Sequence, residues 1–387
     1  MTSIICAGPF CDIEFEAAVW NQRYHDPSCK RDASRRREYT EDVAKAVAPA
    51  YLDLAEEEVV DFLRKETVRL GRAVDKYKAT KSELVDAVYR AAYEAISRIN
   101  MPIVSAPKKD TRKGDEEVAV AVLADWQLGK VTPTYNSEIC RDRIELYGDK
   151  VCRITNIQRA DHPVRNLHVW MLGDIVEGED IFPTQAHLVD SSLYRQVGVD
   201  GPEIVRDFIL KMLGEFETIH ISCVIGNHGR LSSRLKSINP ETNMDRLLYK
   251  IIEWMFAYEP RVTFDIPDGH GETSFYAIDK IGDYSTLLLH GDQFPPPSST
   301  HGYYKKVMGW KDGAIPEQFD DVFMGHYHQN AKMTLGSSLL RVSGSPESYN
   351  TFAQEVLGVM GRPSQHLQFV HPVNGVTSEH TIWLDAG

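Results

Sequence analysis

Short, continuous apolar runs recur after residue 116, and polar clusters follow them. The runs are Val118–Leu123, Leu167–Leu172, Ile219–Ile225, Thr286–Leu289 and Val322–Met324. Runs of this length in which apolar residues predominate indicate strands buried on both faces. Helical stretches lie between several of them, over roughly 137–158, 200–216 and 241–257. Strands and helices that alternate in this way predict an α/β core.

The chain before residue 116 has a different pattern. Apolar residues recur at helical spacing over 39–100, where the sequence TKSE at 80–83 is a capping box for a second helix. The following stretch, 101–115, is charged and contains Pro and Gly, which is typical of an exposed linker. We therefore expect a short module (1–38), a helical segment (39–100), the linker (101–115) and a large α/β domain (116–387). The amphipathic helices of 39–100 could pack on that domain or on a protein partner.

Composition narrows the class of protein. Of the 387 residues, 42% are hydrophobic and 26% are charged, which excludes a wholly disordered, collagen-like or disulfide-scaffold chain. The sequence has neither an apolar run of about 18 residues nor the pattern of a signal peptide, so we expect a cytoplasmic protein with mostly reduced cysteines. The net charge of −13 argues against bulk electrostatic DNA binding as the whole function.

The polar clusters that follow the strand-like runs carry the candidate chemistry. Ligands of α/β sheets collect at the carboxyl ends of strands. The side chains found there are carboxylates, amides and imidazoles, which are hard and borderline metal ligands. Together they could hold two divalent cations about 3.5–4 Å apart. They are Asp125, Gln127, Asp174, Asn227, His290, His326 and His328.

In their order along the chain, these clusters resemble the motifs of the calcineurin-like metallophosphoesterase superfamily, including its phage and bacterial nuclease-like members. The family pattern is D-x-H, G-D, G-N-H, H and G-H-x-H, and its counterpart here spans residues 125–328. The resemblance implies a four-layer αββα sandwich over about 116–387. By analogy with the family's ligands, the resemblance implies that Asp125 and His328 hold a first metal and that Asp174 bridges both metals. It implies that Asn227, His290 and His326 hold the second.

The resemblance also implies a role in chemistry for His228, which would protonate the leaving oxygen instead of binding metal. One position departs from the family pattern, because Gln127 stands where the family has His. A glutamine oxygen can ligate, and it shifts the expected preference toward Mn²⁺ or Mg²⁺ over Zn²⁺. The site could also hold only one metal tightly. Arg230 follows G-N-H-G and could clamp a substrate phosphate, or be a solvent-facing loop charge.

A second cluster of metal-ligand types lies near the N-terminus. Cys6, Cys11, His25 and Cys29 have the spacing C-x4-C-x13-H-x3-C, which suits one structural Zn²⁺ in tetrahedral geometry. The segment resembles a small zinc-ribbon or treble-clef module, although reduced, unpaired cysteines in a tail would give the same sequence. The basic run of 30–37 could contact phosphates or form a solvated helix face.

These features together predict a divalent-metal-dependent phosphoesterase that acts on phosphodiester bonds, with DNA or RNA as the favoured substrate. The expected cofactors are two divalent cations, Mn²⁺ first and Mg²⁺ or Zn²⁺ as alternatives, and one structural Zn²⁺. A phosphomonoesterase or cyclic-nucleotide phosphodiesterase is the nearest alternative. A binding or assembly protein with a weakened metal site is the other, and only Gln127 favours it.

Overall fold

The structure is a computed structural model that describes part of the chain. The structure describes two short strands near the N-terminus, β1 (Ser3–Ile5) and β2 (Glu14–Glu16), which pair antiparallel. It also describes seven helical residues between positions 87 and 96. Residues 101–385 are also described, except 180, 183–184, 232–239, 268–274, 295–299 and 350–360. The predicted zinc ligands Cys6, Cys11, His25 and Cys29 lie outside the described residues. The chain forms two compact units, Met1–Glu83 and Leu84–Gly387.

The larger unit contains two sheets. Its strands are, in chain order, β3 (Glu117–Leu123), β4 (Val164–Met171), β5 (Thr218–Cys223), β6 (Val262–Asp265), β7 (Tyr276–Ile281), β8 (Tyr284–Leu289), β9 (Asp321–Met324), β10 (Ala331–Leu335), β11 (Ser338–Val342), β12 (Ser364–His371) and β13 (Gly375–Trp383). The six-stranded sheet has the order β13-β12-β3-β4-β5-β6, and the five-stranded sheet has the order β10-β11-β9-β8-β7. Within them β3 to β6 run parallel, as do β8, β9 and β11.

The described part of this unit includes four helices of eight or more residues: α1 (Ser137–Gln158), α2 (Gly201–Leu213), α3 (Met244–Met255) and α4 (Thr300–Gly309). Shorter turns cover Gln185–His187, Leu193–Arg195, Gln196–Asp200, Pro240–Thr242 and Trp310–Ala314. Asparagine side chains cap α1 and α3, since Asn136 accepts from the Ile139 amide and Asn243 from the Asp245 amide. None of the helices that the structure describes is long and apolar enough to cross a bilayer.

Alternation along the buried strands explains the layers. On β3, Val118, Val120 and Val122 belong to an apolar cluster with Leu288 and Phe323 of the other sheet. The intervening Ala119, Ala121 and Leu123 pack with residues of α1, α2 and α3. On the five-stranded sheet, Leu287 and Leu289 face the other way, in a cluster with residues of α4. Helices therefore cover both outer faces of two stacked sheets, and the predicted αββα sandwich is confirmed.

The segment 101–115 has neither helix nor strand and is attached to the six-stranded sheet. Arg165 donates from Nε to the Asp110 carbonyl at 2.9 Å, and Arg261 donates from Nη2 to the Val104 carbonyl at 2.8 Å. Met101 also packs against the core cluster that includes α1 to α3. The loops that follow β3, β4, β5, β8 and β9 all leave the carboxyl ends of parallel strands, which brings the candidate site residues together.

Candidate metal centre

The backbone is left-handed at most of the predicted ligands. Among the described residues, positive φ angles at non-glycine positions occur at Asp125 (54°), Gln127 (45°), Asp174 (50°), His326 (73°), His328 (54°) and Tyr349 (62°). Such angles are uncommon outside glycine and cost of order 1–3 kcal/mol each, so their concentration points to a functional site. The first five are residues that the sequence motifs single out as metal ligands.

Two motif glycines are required by close packing at the strand ends. A Cβ atom on Gly226 would lie 2.1 Å from Oδ1 of Asp174, and one on Gly325 would lie 2.5 Å from Oδ2 of Asp125. Any side chain at either position would push the loop away from a ligand carboxylate. The glycine of G-N-H therefore allows the loop after β5 to meet the loop after β4, and the glycine of G-H-x-H allows the loop after β9 to meet the loop after β3.

Four predicted ligands converge on one point, which we call the second subsite. Nε2 of His290 lies 3.0 Å from Oδ2 of Asp174, 3.0 Å from Oδ1 of Asn227 and 3.1 Å from Nδ1 of His326. Ligand atoms of Asp174, His290 and His326 lie within 4.8 Å of one another. The other nitrogen of His290, Nδ1, is 2.8 Å from the Leu172 carbonyl and donates to it, so Nε2 is the nitrogen that would bind a cation. This donor set fits one divalent cation.

Charge within the second subsite is strongly coupled. Burial alone would lower the pKa of His290, but the Asp174 carboxylate raises it to about 10. Burial alone would raise the pKa of Asp174, and His290 and His228 hold it well below its usual range. Burial and the neighbouring His290 lower the pKa of His326 to about 3. The carboxylate therefore attracts positive charge at this point, where a divalent cation would displace the His290 proton.

Asp125, Gln127 and His328 lie close together at the predicted position of a first metal, which we call the first subsite. Nε2 of His328 lies 3.8 Å from Oδ1 of Asp125 and 3.2 Å from Nε2 of Gln127. Two residues that the sequence analysis missed complete this region. Glu347 contacts Nδ1 of His328 at 2.8 Å, and Lys130 donates from Nζ to Oε1 of Gln127 at 2.6 Å. Burial raises the pKa of Asp125 to about 6, against the effects of His328 and His290.

His228 lies beside the second subsite. Its Nε2 is 3.9 Å from Oδ2 of Asp174, and its backbone amide donates to Oδ1 of the same carboxylate at 2.7 Å. On the other side of the ring, Nδ1 lies 3.0 Å from Oε2 of Glu177, which accepts from Gln185 through its other oxygen. Burial would lower the pKa of His228, but Asp174 and Glu177 raise it to about 9. The ring is thus protonated near neutral pH and held in one orientation.

Asp245 is a structural support of the site that the sequence analysis missed. Its buried carboxylate accepts hydrogen bonds from the backbone amides of Asp174, Ile175, Val176 and Gly226, at 2.9–3.3 Å. These amides belong to the loops that follow β4 and β5. Burial and Asp174 raise its pKa to about 6. The only sequence signal is its place in the first turn of a capped helix, which is too common to indicate this role.

Arg230 is paired with an acid next to the site. Its Nη2 donates to the carboxylate of Asp292, which follows His290 by two residues. About a fifth of the Arg230 side chain is exposed (21%), so the guanidinium keeps an open side. A contact with substrate phosphate stays a prediction.

The chain has no match among protein-family models or curated proteins, but it is similar to several solved structures. Vps29 of Entamoeba histolytica, solved with Zn²⁺, is 12% identical, with 69% of this chain and 99% of that chain covered and a TM-score of 0.33. A hypothetical protein of Pyrococcus horikoshii is 13% identical, with 70% and 89% covered and a TM-score of 0.37. A novel archaeal phosphodiesterase is 11% identical, with 68% and 99% covered and a TM-score of 0.32. Similarities of this degree identify neither a substrate nor a partner for this chain.

Proposed function

We propose that this protein is a divalent-metal-dependent phosphoesterase that hydrolyses phosphodiester bonds. The observation that carries the proposal is the position of His228, whose Nε2 lies 3.9 Å from Oδ2 of the ligand Asp174. A protonated imidazole beside the proposed metal ligands is placed to donate a proton to the leaving oxygen of a metal-bound phosphate. The fold and the order of the ligands agree with the calcineurin-like metallophosphoesterases that the sequence resembles.

Asp174, Asn227, His290 and His326 would hold a cation, which when bound polarises phosphoryl oxygens and lowers the pKa of a bound water. Glu177 fixes the imidazole of His228, because its backbone carbonyl lies 3.1 Å from Nδ1 and accepts its hydrogen, and its carboxylate lies 3.0 Å from the same nitrogen. The proton on Nε2 of His228 is then directed away from Glu177, toward the substrate side. Asp174 and Glu177 raise the pKa of His228 to about 9 against the effect of burial, which favours the protonated ring that a general acid requires.

An exposed aromatic ring beside His228 supports a nucleic-acid substrate. The Phe182 ring centroid lies 4.9 Å from that of His228, and 47% of Phe182 is exposed. A base attached to a phosphodiester in the site could stack on this ring, and such stacking is worth about 1–3 kcal/mol per base. The proposed Zn²⁺ at Cys6, Cys11, His25 and Cys29, followed by basic residues, would add a second contact with nucleic acid.

A substrate panel tests the proposal. Chelator-treated protein should be inactive, and added Mn²⁺ should restore hydrolysis of bis-p-nitrophenyl phosphate and of DNA or RNA more than Zn²⁺ does. The kcat/KM on single-stranded nucleic acid should fall roughly 5- to 100-fold in the Phe182→Ala variant. It should stay near the parent value in Phe182→Tyr, which keeps an aromatic ring. Tyr258→Ala is a matched control, because Tyr258 is 97% exposed beyond the far end of α3.

The results separate the alternatives. Faster turnover of p-nitrophenyl phosphate than of any diester would identify a phosphomonoesterase. Protein that is folded and metal-loaded but inactive on every substrate would favour the binding protein, the candidate that Gln127 supports. An equal loss in Phe182→Ala and Tyr258→Ala would contradict the stacking role of Phe182.

A further inference from the structure

The orientation of the Gln127 amide follows from its neighbour Lys130. An ammonium group has hydrogens to donate and no lone pair. The atom of Gln127 that faces Nζ of Lys130 at 2.6 Å must therefore be the oxygen, Oε1. The flipped amide would place two donors against each other. Gln127 consequently directs its NH₂ group, which has no lone pair for a metal, toward the first subsite.

In this orientation, the Gln127 amide also occupies Nε2 of His328, the nitrogen that would bind a first metal. Nδ1 of His328 lies 2.8 Å from Oε2 of Glu347, so Nδ1 carries a hydrogen and Nε2 is the acceptor. Nε2 of Gln127 lies 3.2 Å from that acceptor and donates to it. The lone pair of His328 that would bind a first metal is thus already engaged.

Lys130 also brings a partly buried ammonium group to this subsite. Its Nζ lies 2.7 Å from Oε1 of Glu347, and the two side chains are 15% and 1% exposed. A tight turn holds Lys130 above Gln127, because the Lys130 amide donates to the Gln127 carbonyl at 3.0 Å across Gly129. Gly129 has a φ of 102°, which permits this turn. Glu347 offsets the charge of this ammonium, but the ammonium holds Oε1 of Gln127, the one atom of that amide that could bind a divalent cation.

The second subsite has the opposite character. Its ligand atoms on Asp174, Asn227 and His326 lie 3.0–3.1 Å from Nε2 of His290. Both oxygens of Asp125, in contrast, accept from the His326 amide at 2.9 Å. Affinity for a cation is therefore concentrated at the second subsite.

We propose that Lys130 and Gln127 close the first subsite, so that the protein binds one divalent cation per chain, at Asp174, Asn227, His290 and His326. The Lys130 ammonium supplies the second positive charge that a phosphate would meet. This inference rests on the proposed metal centre, but it concerns the number of ions and not the reaction.

Metal stoichiometry tests the inference without substrate. Chelator-stripped full-length protein is titrated with Mn²⁺, and bound ions are counted by equilibrium dialysis and by the electron paramagnetic resonance spectrum. Because the predicted N-terminal zinc ligands could also take up metal, the same titration is made on Cys6→Ser/Cys11→Ser protein. We expect one Mn²⁺ per chain in the catalytic unit and an uncoupled Mn²⁺ spectrum. Two ions per chain in this unit, with a spin-coupled spectrum, would overturn the inference.

Variants locate the effect. The double variant Gln127→His/Lys130→Gln should bind a second Mn²⁺ and show a spin-coupled pair, whereas Lys130→Arg should remain at one ion. His326→Ala should lose the single ion, and parent protein that binds no Mn²⁺ would refute both the metal centre and this inference. One ion per chain without any hydrolysis would refute the proposed function alone. If the double variant does not fold, as judged by circular dichroism, Gln127→His with Lys130 retained should still bind one ion.

Discussion

Two carboxylates on opposite sides of the ring determine the chemistry of His228. Glu177 holds Nδ1 at 3.0 Å, and Asp174 lies 3.9 Å from Nε2 while it also accepts from the His228 backbone amide. His228 thereby connects the proposed acid chemistry with the proposed metal ligand Asp174. The left-handed backbone at Asp174 allows its carboxylate to reach both the ring and the backbone amide of His228.

We expect His228→Asn to lower kcat on a nucleic-acid substrate by about 10²–10⁴-fold, because a positioned general acid contributes that much. The loss should be smaller on a nitrophenyl ester, whose leaving group barely needs a proton. Bound metal, measured by elemental analysis, should be unchanged. Asp174→Ala should lose metal and activity on every substrate. A His228→Asn protein without metal would show that His228 is a ligand.

The N-terminus of α3 joins two loops of the site. Asn243 caps the helix and donates from Nδ2 to the Gly226 carbonyl at 2.9 Å, while Asp245 accepts from four backbone amides. The helix therefore holds the loop after β4 against the loop after β5. This arrangement offsets part of the strain at Asp174, since the amide of that left-handed residue is among the four.

Asp245→Asn replaces one acceptor oxygen with a donor that faces backbone amides. A buried donor without an acceptor costs about 1–3 kcal/mol, and bonds to a charged acceptor are also lost. We expect the free energy of unfolding to fall by about 3 kcal/mol in urea titrations, and the affinity for Mn²⁺ to fall as well. The control is Asp149→Asn on α1, where the carboxylate is 63% exposed. A change below about 0.5 kcal/mol in both variants would contradict the role of Asp245.

At the scale of the whole molecule, a buried acid links the two sheets away from the metal centre. Asp279 on β7 accepts from Nδ1 of His168 at 2.8 Å and from the indole of Trp170 at 2.7 Å, both on β4. Ser222 on β5 adds a bond at 3.3 Å. Burial alone would raise the pKa of Asp279, but His168 and Trp170 hold it below its ordinary value.

This pKa shift predicts how stability depends on pH. A carboxylate whose pKa is lower in the folded state stabilises the fold above its unfolded pKa of about 3.9, and the effect is lost as the pH falls through the folded pKa. We therefore expect Asp279→Asn to reduce the free energy of unfolding by about 2–4 kcal/mol at pH 7, and this difference from the parent to shrink below about pH 4. Exposed Asp312→Asn is the control. A difference that grows in acid would have the wrong sign.

The order of the ligands and the main strands could be predicted from the sequence because both are local patterns. A continuous apolar run such as Val118–Leu123 identifies a buried strand, and the polar residues after it lie at the strand's end. The strands β12 and β13 were missed because polar residues interrupt them; buried Gln365 and Gln368 lie on β12. Residue spacing also could not show that Asp174 requires a glycine at position 226, where a Cβ atom would lie 2.1 Å from Oδ1 of Asp174.

The sequence by itself determined the α/β class, since alternation is carried by neighbours along the chain, and its resemblance to a known family implied the αββα layers and the set of candidate ligands. Only the tertiary structure decided the partners of those ligands. Asp245 lies 71 residues from Asp174, and His168 lies 111 residues from Asp279. It also decided the direction of the Gln127 amide, which depends on a hydrogen bond to Lys130 that residue types alone do not specify. Hydrogen bonds of this kind depend on distances of a few tenths of an ångström, and only the packed fold sets these distances.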